Sequence, residues 1–233
     1  MAVRGQLLKL KETVLDLLYP SFCIGCGREG ELICSSCLKS LPRIEPPICL
    51  KCGKPIDRGN LCRFCEDEPP KIDGIRSPFR FDGLVREAVH RLKYRNLKAI
   101  AHPLAQLMAE YLQDNPLPSD VLVPVPLHHR RIRERGYNQC SLLAGELGGL
   151  ISLPVVSDSL VRKVNTPPQT RMSAEKRKRN VSGAFSCGGR LQDKAVILID
   201  DVSTTGATLE SCAIALKEAG ALSVWGLALA REI

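Results

Sequence analysis

The run Val196–Thr208, VILIDDVSTTGAT, constrains this chain more than any other segment. Four consecutive apolar residues, Val196, Ile197, Leu198 and Ile199, have the length and branching of a strand buried on both faces. Two carboxylates, Asp200 and Asp201, follow where such a strand is expected to leave the sheet. Ser203, Thr204, Thr205, Gly206, Ala207 and Thr208 then offer hydroxyls and a pliable backbone directly ahead of a helical pattern. Ligands of open α/β sheets bind at that carboxyl edge, and the free N–H groups and positive end of the following helix suit a phosphate. Adjacent carboxylates suit vicinal ribose hydroxyls, or a magnesium ion through water. Alone, Asp-Asp reads as a solvated turn and the threonine-rich loop as an ordinary N-cap. Joined on one strand–loop–helix unit, they predict a pocket for phosphoribosyl pyrophosphate (PRPP) or a nucleotide.

The surrounding chain reads as strands alternating with helices. Phe79–Phe81, Asp120–Val125, a weaker segment at Val155 and Val156, Ala195–Ile199 and Val224–Ala230 are strand-like. Leu84–Tyr94, Ala99–Leu112, Asn138–Leu150 and Thr208–Ala219 are helical by period, the last closed by Gly220. The pattern predicts an α/β fold, a mainly parallel sheet with helices on both faces. Met1–Tyr19 alternates leucines with Lys9, Lys11, Glu12 and Asp16. It predicts an amphipathic helix docked on its own protein or on a partner or membrane surface, and it lacks the unbroken apolar core of a signal peptide. No apolar stretch is long enough for a membrane-spanning helix, so a soluble, cytoplasmic chain is expected.

Eight of the eleven cysteines precede residue 66, as four Cys-x2-Cys pairs: Cys23/Cys26, Cys34/Cys37, Cys49/Cys52 and Cys62/Cys65. Two intervening residues let both thiolates of a pair face one metal from a tight turn, and four pairs make two tetrahedral sites, best suited to two structural zinc ions. A disulfide framework is disfavoured in a reducing compartment, while an iron–sulfur cluster stays open, as does sequential or interleaved pairing of the motifs. Cys140, Cys187 and Cys212 read as small apolar core residues. Pro69-Pro70 and the end of the cysteine region mark a boundary, giving residues 1–20 as a helix, 21–70 as a double zinc-binding module and 71–233 as the α/β domain.

Lysine and arginine number 33 against 25 aspartates and glutamates, an excess that favours polyanionic partners without choosing among them. Much of it lies in two places. Arg130, Arg131, Arg133 and Arg135 follow Pro126 and Leu127 in a basic turn, and Arg162–Asn180 (RKVNTPPQTRMSAEKRKRN) contains Lys176, Arg177, Lys178 and Arg179 in succession. The X–Pro bonds at Pro124 and Pro126 are candidates for cis geometry.

Val196–Thr208 closely resembles the signature of the type I phosphoribosyltransferases. With PVPLHHRRIRERGYNQ (Pro124–Gln139), TPPQTRMSAEKRKRNVSGAF (Thr166–Phe185), LKY (Leu92–Tyr94) and the cysteine module in the same order, nearly the whole chain resembles the ComF family. The resemblance implies a phosphoribosyltransferase-like domain with an N-terminal double zinc ribbon. In it Asp200 and Asp201 hold the ribose hydroxyls, and Ser203, Thr204, Thr205, Gly206, Ala207 and Thr208 wrap the 5-phosphate. Pro126, Leu127 and Arg130 would form the pyrophosphate loop, and Arg171 and Arg177 would sit in a flexible loop closing over a magnesium-bound pyrophosphate. The same tract reads equally as a nucleic-acid contact. The resemblance further implies single-stranded DNA handling in natural transformation, with competence-system proteins as partners. Transfer of phosphoribosyl to a nitrogen acceptor is the alternative, although no hood for an acceptor base is recognisable. Aromatic residues are few and Trp225 falls on a core strand, so any DNA contact is expected to be mainly to phosphates.

Overall fold

A computed structural model of the chain describes residues 20–163, 183–189 and 191–233. The N-terminal amphipathic segment and most of the basic tract, with Arg171, Arg177 and Lys176–Arg179, lie outside the described residues. Two compact units emerge, residues 1–41 and 42–233. By compactness the chain therefore divides after Leu41, and the second cysteine set falls in the same unit as the α/β domain, although the character of the sequence changes near residue 70.

In the first unit the chain from Cys23 to Cys37 closes through the short helix α1 (Ser35–Lys39) and an isolated antiparallel bridge between Phe22 and Glu29. The second unit opens with a similar module, in which Ile48 bridges Pro55 and α2 spans Arg63–Asp67. This module covers the outer edge of the main sheet: Ile75 N–H donates to the Lys51 carbonyl at 2.7 Å, and Arg76 Nη1 donates to the Leu50 carbonyl at 3.0 Å. Covering an edge strand removes a template for unwanted pairing. Gly53 is required at that seam, since its φ is +73° and a Cβ there would lie 2.4 Å from the Ile75 oxygen.

The α/β domain runs β1 (Gly74–Arg76), β2 (Phe79–Arg80), α3 (Gly83–Tyr94), a 3-10 turn (Lys98–Ile100), α4 (Ala101–Asp114), β3 (Val121–Pro124), α5 (His129–Arg135), α6 (Gln139–Ile151), β4 (Leu160–Arg162), β5 (Phe185–Cys187), β6 (Ala195–Ser203), α7 (Ala207–Glu218) and β7 (Ser223–Arg231). The main sheet is parallel throughout, in the order β1, β7, β6, β3, with β2 also on β7. Val155 adds a single parallel bridge to Leu122 beyond β3. Val196, Ile197, Leu198 and Ile199 on β6 are at most 1 % exposed, each contributing about 1.5–3 kcal/mol of apolar burial. Val196 and Leu198 pack with Leu209, Cys212 and Leu216 of α7. On the other face, Gly148 of α6 lies close enough to Leu122 and Val155 that a Cβ would touch them. Helices therefore cover both faces, as the alternation of elements predicts. Among the described residues, no helix is long and apolar enough to cross a membrane.

Several features depart from the sequence reading. The arginine-rich stretch is the helix α5 rather than a turn, started by the His128 side chain and stopped by Gly136 in the left-handed region at φ 83°; four arginines mask any apolar period. β4 and β5 form a separate antiparallel pair, each too short to announce itself. Among the described residues the cis peptide bond is Pro46–Pro47, and those at Pro124 and Pro126 are trans.

Candidate phosphoribosyl site

The crossover after β3 uses α6 on one face and the crossover after β6 uses α7 on the other, so the sheet changes direction between β3 and β6. That crevice, at the carboxyl ends of the two strands, is where open α/β sheets bind ligands. Proline chemistry opens it. Pairing of β3 with β6 ends at Pro124 opposite Ile199, and Pro124 and Pro126 have no N–H to extend the ladder. On its other side β6 stays paired with β7 as far as Ser203. Asp200 and Asp201 therefore sit within the strand, not beyond its end as the sequence suggested, and are open on the β3 side only.

Both carboxylates are buried and held in place. Asp200 Oδ1 accepts from the Asp201 amide at 2.9 Å and from the Cys140 thiol on α6 at 3.4 Å. Cys140 is thus a neighbour of the site rather than plain core. Asp201 Oδ1 accepts from the Val202 amide at 2.8 Å, and its Oδ2 forms an ion pair of 2.6 Å with Lys93 Nζ from the last turn of α3. Burial works against the Lys93 charge, but the Asp201 carboxylate outweighs it and holds the ammonium above its ordinary pKa. Lys93 escaped the sequence reading as a site residue; its one signal was a lysine within the family-like LKY.

Burial, reinforced by the Asp201 carboxylate and opposed by Lys93, raises Asp200 from 3.8 to about 7. A raised aspartate keeps its proton in the native state, so its contribution to stability falls as pH rises from about 4 to about 7. Ribose hydroxyls and magnesium both favour the ionised carboxylate, so a ligand must drive the proton off. The affinity of any ligand that takes the ionised carboxylate is accordingly expected to rise about tenfold per pH unit below neutrality and to level off above it. Titration calorimetry in buffers of different ionisation enthalpy should show a proton released near pH 6 and none near pH 8.5; equal release at both would contradict this account.

Beyond Asp201 the loop has the form of an anion cradle. Gly206 caps α7 with φ 84°, and a Cβ on it would lie 2.8 Å from Ile75 Cδ1, so glycine is needed for conformation and for space. Thr205 Oγ1 accepts from the Ala207 amide at 3.3 Å. Thr204, Thr205, Ala207 and Thr208 are half-buried, within reach of a ligand at the helix N-terminus. Ser203 is buried instead, its hydroxyl accepting from Arg231 Nη1 at 3.4 Å.

On the β3 side Pro126 and Leu127 are half-buried, and Asn138 Nδ2 secures the turn by donating to the Val125 carbonyl at 3.0 Å. Arg130 is exposed on α5 and paired with Glu134 at 3.0 Å. Arg162, at the start of the basic tract, is partly buried on β4 with its guanidinium 5.4 Å from the centroid of Phe185. Desolvation lowers its pKa, with the Arg131 charge adding to that effect and Asp200 opposing it.

Lys93 also lines a cleft of about 520 Å³ with Tyr94, Asn96, Arg131, Glu134, Arg135 and Tyr137. Tyr94 is 64 % exposed, with the Arg135 guanidinium 5.4 Å from its ring centroid. It is an accessible aromatic platform that composition did not lead one to expect. Trp225, by contrast, is half-buried on β7, with Arg76 5.0 Å from its ring centroid.

The cysteines resolve into two clusters, Cys23, Cys26, Cys34 and Cys37, and Cys49, Cys52, Cys62 and Cys65, with the sulfurs of each within 4.8 Å of one another. Pairing is sequential, not interleaved. All eight are free thiols, with Cys26–Cys34 and Cys52–Cys62 sulfur separations of 3.5 and 3.7 Å. A tetrahedral zinc site with Zn–S near 2.3 Å requires about 3.8 Å, so both clusters fit one zinc ion each. The Ser36 hydroxyl, 3.1 Å from Cys34 Sγ, leads the interactions that lower the Cys34 thiol to about 6, toward the thiolate a metal needs.

Residues 14–66 match the double zinc ribbon domain. The chain is 34 % identical to the DNA utilization protein YhgH of Salmonella typhi over 93 % of its own length and 100 % of that protein. Against competence protein F of Haemophilus influenzae it is 31 % identical over 89 % and 96 %. The chain belongs to the ComF family. A solved glutamine phosphoribosylpyrophosphate amidotransferase from B. subtilis aligns at a TM-score of 0.40 and 20 % identity, over 56 % of this chain and 26 % of that one, a likeness too distant to add to the argument. Within the ComF family this chain therefore joins a double zinc ribbon to a parallel α/β domain.

Proposed function

We propose that this ComF-family chain binds PRPP, or a close phosphoribosyl relative, as its magnesium complex, and that it acts in handling single-stranded DNA. The observation that carries the first part is the pair of buried carboxylates Asp200 and Asp201 at the sheet's switch point, followed directly by a glycine-capped helix N-terminus. Carboxylates there accept from the ribose hydroxyls, while the amides and hydroxyls of Thr204–Thr208 take the 5-phosphate. Magnesium, once bound with the ligand, would neutralise the pyrophosphate beside Pro126 and Leu127. Calorimetric titration with magnesium–PRPP is expected to give saturable binding that disappears in Asp200→Asn/Asp201→Asn. No binding by the native chain would sink the reading.

The cleft beside Lys93 supports the second part. Its volume lies in the range of small-ligand sites, and Tyr94 with Arg135 offers a ring and a cation for a stacked base near a phosphate. Stacking on such a ring is worth about 1–3 kcal/mol per base, so Tyr94→Ala is expected to weaken binding of an oligothymidine by that amount. Neutralising Lys176–Arg179 should chiefly flatten the salt dependence. Unchanged affinity in Tyr94→Ala would remove the cleft from the DNA path. Transfer chemistry is read by pyrophosphate release across nucleobases, nucleotides and DNA ends: acceptor-dependent release identifies an enzyme, and bound PRPP without release identifies a binding protein.

A further inference from the structure

Arg231, the last residue of β7, is 1 % exposed. Its Nη1 donates to the Cys52 carbonyl at 2.5 Å and to Ser203 Oγ at 3.4 Å, and among the described residues its Nε has no hydrogen-bond partner. A guanidinium does not give up its proton in a protein, and a buried charge is costly unless an opposite charge faces it. Among the described residues no carboxylate pairs with Arg231. Its hydrogen bond to the Cys52 carbonyl sets it against the second cysteine cluster; burial works against its charge, while Cys52, then Cys65, Cys49 and Cys62, act in its favour. Four thiolates around one zinc ion carry a net charge of about −2, which is the missing counter-charge. The same side chain reaches Ser203, opposite it in the ladder, at the entrance to the phosphate loop.

We infer that Arg231 is a positioning residue that neutralises the second zinc centre and ties it to the phosphate loop, so that a loaded second ribbon sets the placement of Ser203. With the metal in place the guanidinium is held between the cluster and the Ser203 hydroxyl. Without it, four protonated thiols leave a buried cation unmatched, and the end of β6 loses its fixed neighbour. The ribbon then serves the ligand site directly, besides covering the edge of β1. The Ser203 half of this inference rests on the phosphoribosyl reading; the counter-charge half does not.

The test uses the full, zinc-loaded chain and its variants Arg231→Met and Arg231→Lys, with zinc release to a chromogenic chelator as readout. Removing an outer partner of a metal site costs about 10–100-fold in affinity. Arg231→Met should therefore release one of its two zinc ions that much more readily and keep the other as in the native chain, while Arg231→Lys restores most of the loss. Equal release from Arg231→Met and native protein would overturn the counter-charge. Should Arg231→Met not fold, the native chain supplies the second measurement. Zinc is withdrawn stepwise, the emptied cysteines are mapped by alkylation, and magnesium–PRPP binding is followed in parallel. Affinity should fall as Cys49, Cys52, Cys62 and Cys65 become reactive and not as Cys23, Cys26, Cys34 and Cys37 do. A ligand affinity indifferent to the second cluster would overturn the coupling. If the zinc-loaded native chain binds no PRPP, the phosphoribosyl reading fails while the release rates still judge Arg231.

Discussion

Asp201→Ala is expected to destabilise the α/β domain by about 3 kcal/mol, in addition to abolishing ligand binding. The substitution removes the partner of Lys93 Nζ, whose side chain is 21 % exposed against 4 % for Asp201. Breaking a fully buried ion pair costs about 3–5 kcal/mol because one charge is left stranded. Lys93 retains a path to solvent through the cleft, which places the effect at the lower end. Removing both charges should cost less than removing either one, so Lys93→Met/Asp201→Leu is expected to recover most of the stability of Asp201→Ala without recovering ligand binding. Urea denaturation of the native chain, Lys93→Met, Asp201→Leu and the double variant gives the coupling energy. Additive single effects would show that the pair is a surface bridge of little weight.

Metal removal is expected to separate the two ribbons. The native chain should carry two zinc ions by metal analysis, and either Cys26→Ser or Cys49→Ser should lose one. Their thermal behaviour should differ sharply. Cys49 belongs to the unit of the α/β domain, and its module is bonded to β1 through Lys51 and Leu50 and to β7 through Cys52. A structural zinc ion brings about 10–16 kcal/mol of apparent binding energy to folding. Even a small part of that, transmitted through these bonds, lowers the main calorimetric transition by many degrees. Cys26 lies in the separate unit of residues 1–41, and Cys26→Ser should leave that transition in place. Identical shifts in the two variants would contradict this division.

Local patterns were legible in advance. Strand β6, helix α7 and the loop between them could be read directly, because four apolar residues, two carboxylates and a hydroxyl-rich glycine loop carry their meaning within thirteen neighbouring positions. The eight metal ligands were equally legible, since Cys-x2-Cys is itself the geometry of a turn that presents two sulfurs. The helix α5 was not, because a single apolar residue, Ile132, among charged ones leaves no apolar period and its limits are set by His128 and Gly136.

By itself, then, the sequence determined the parallel α/β plan, the carboxylates and hydroxyl-rich glycine loop of the candidate site, and the two sets of thiols, all of them features of short-range order. Tertiary structure alone decided which thiols share a cluster, that Lys93 and Cys140 flank the two aspartates, that Tyr94 is an open platform, and that Arg231 joins the second cluster to Ser203. Each of those contacts unites residues from different elements, as in the 60-residue separation of Cys140 and Asp200. No pattern of neighbours can specify such a meeting; it exists only once burial of the sheet between its helices has brought the elements together.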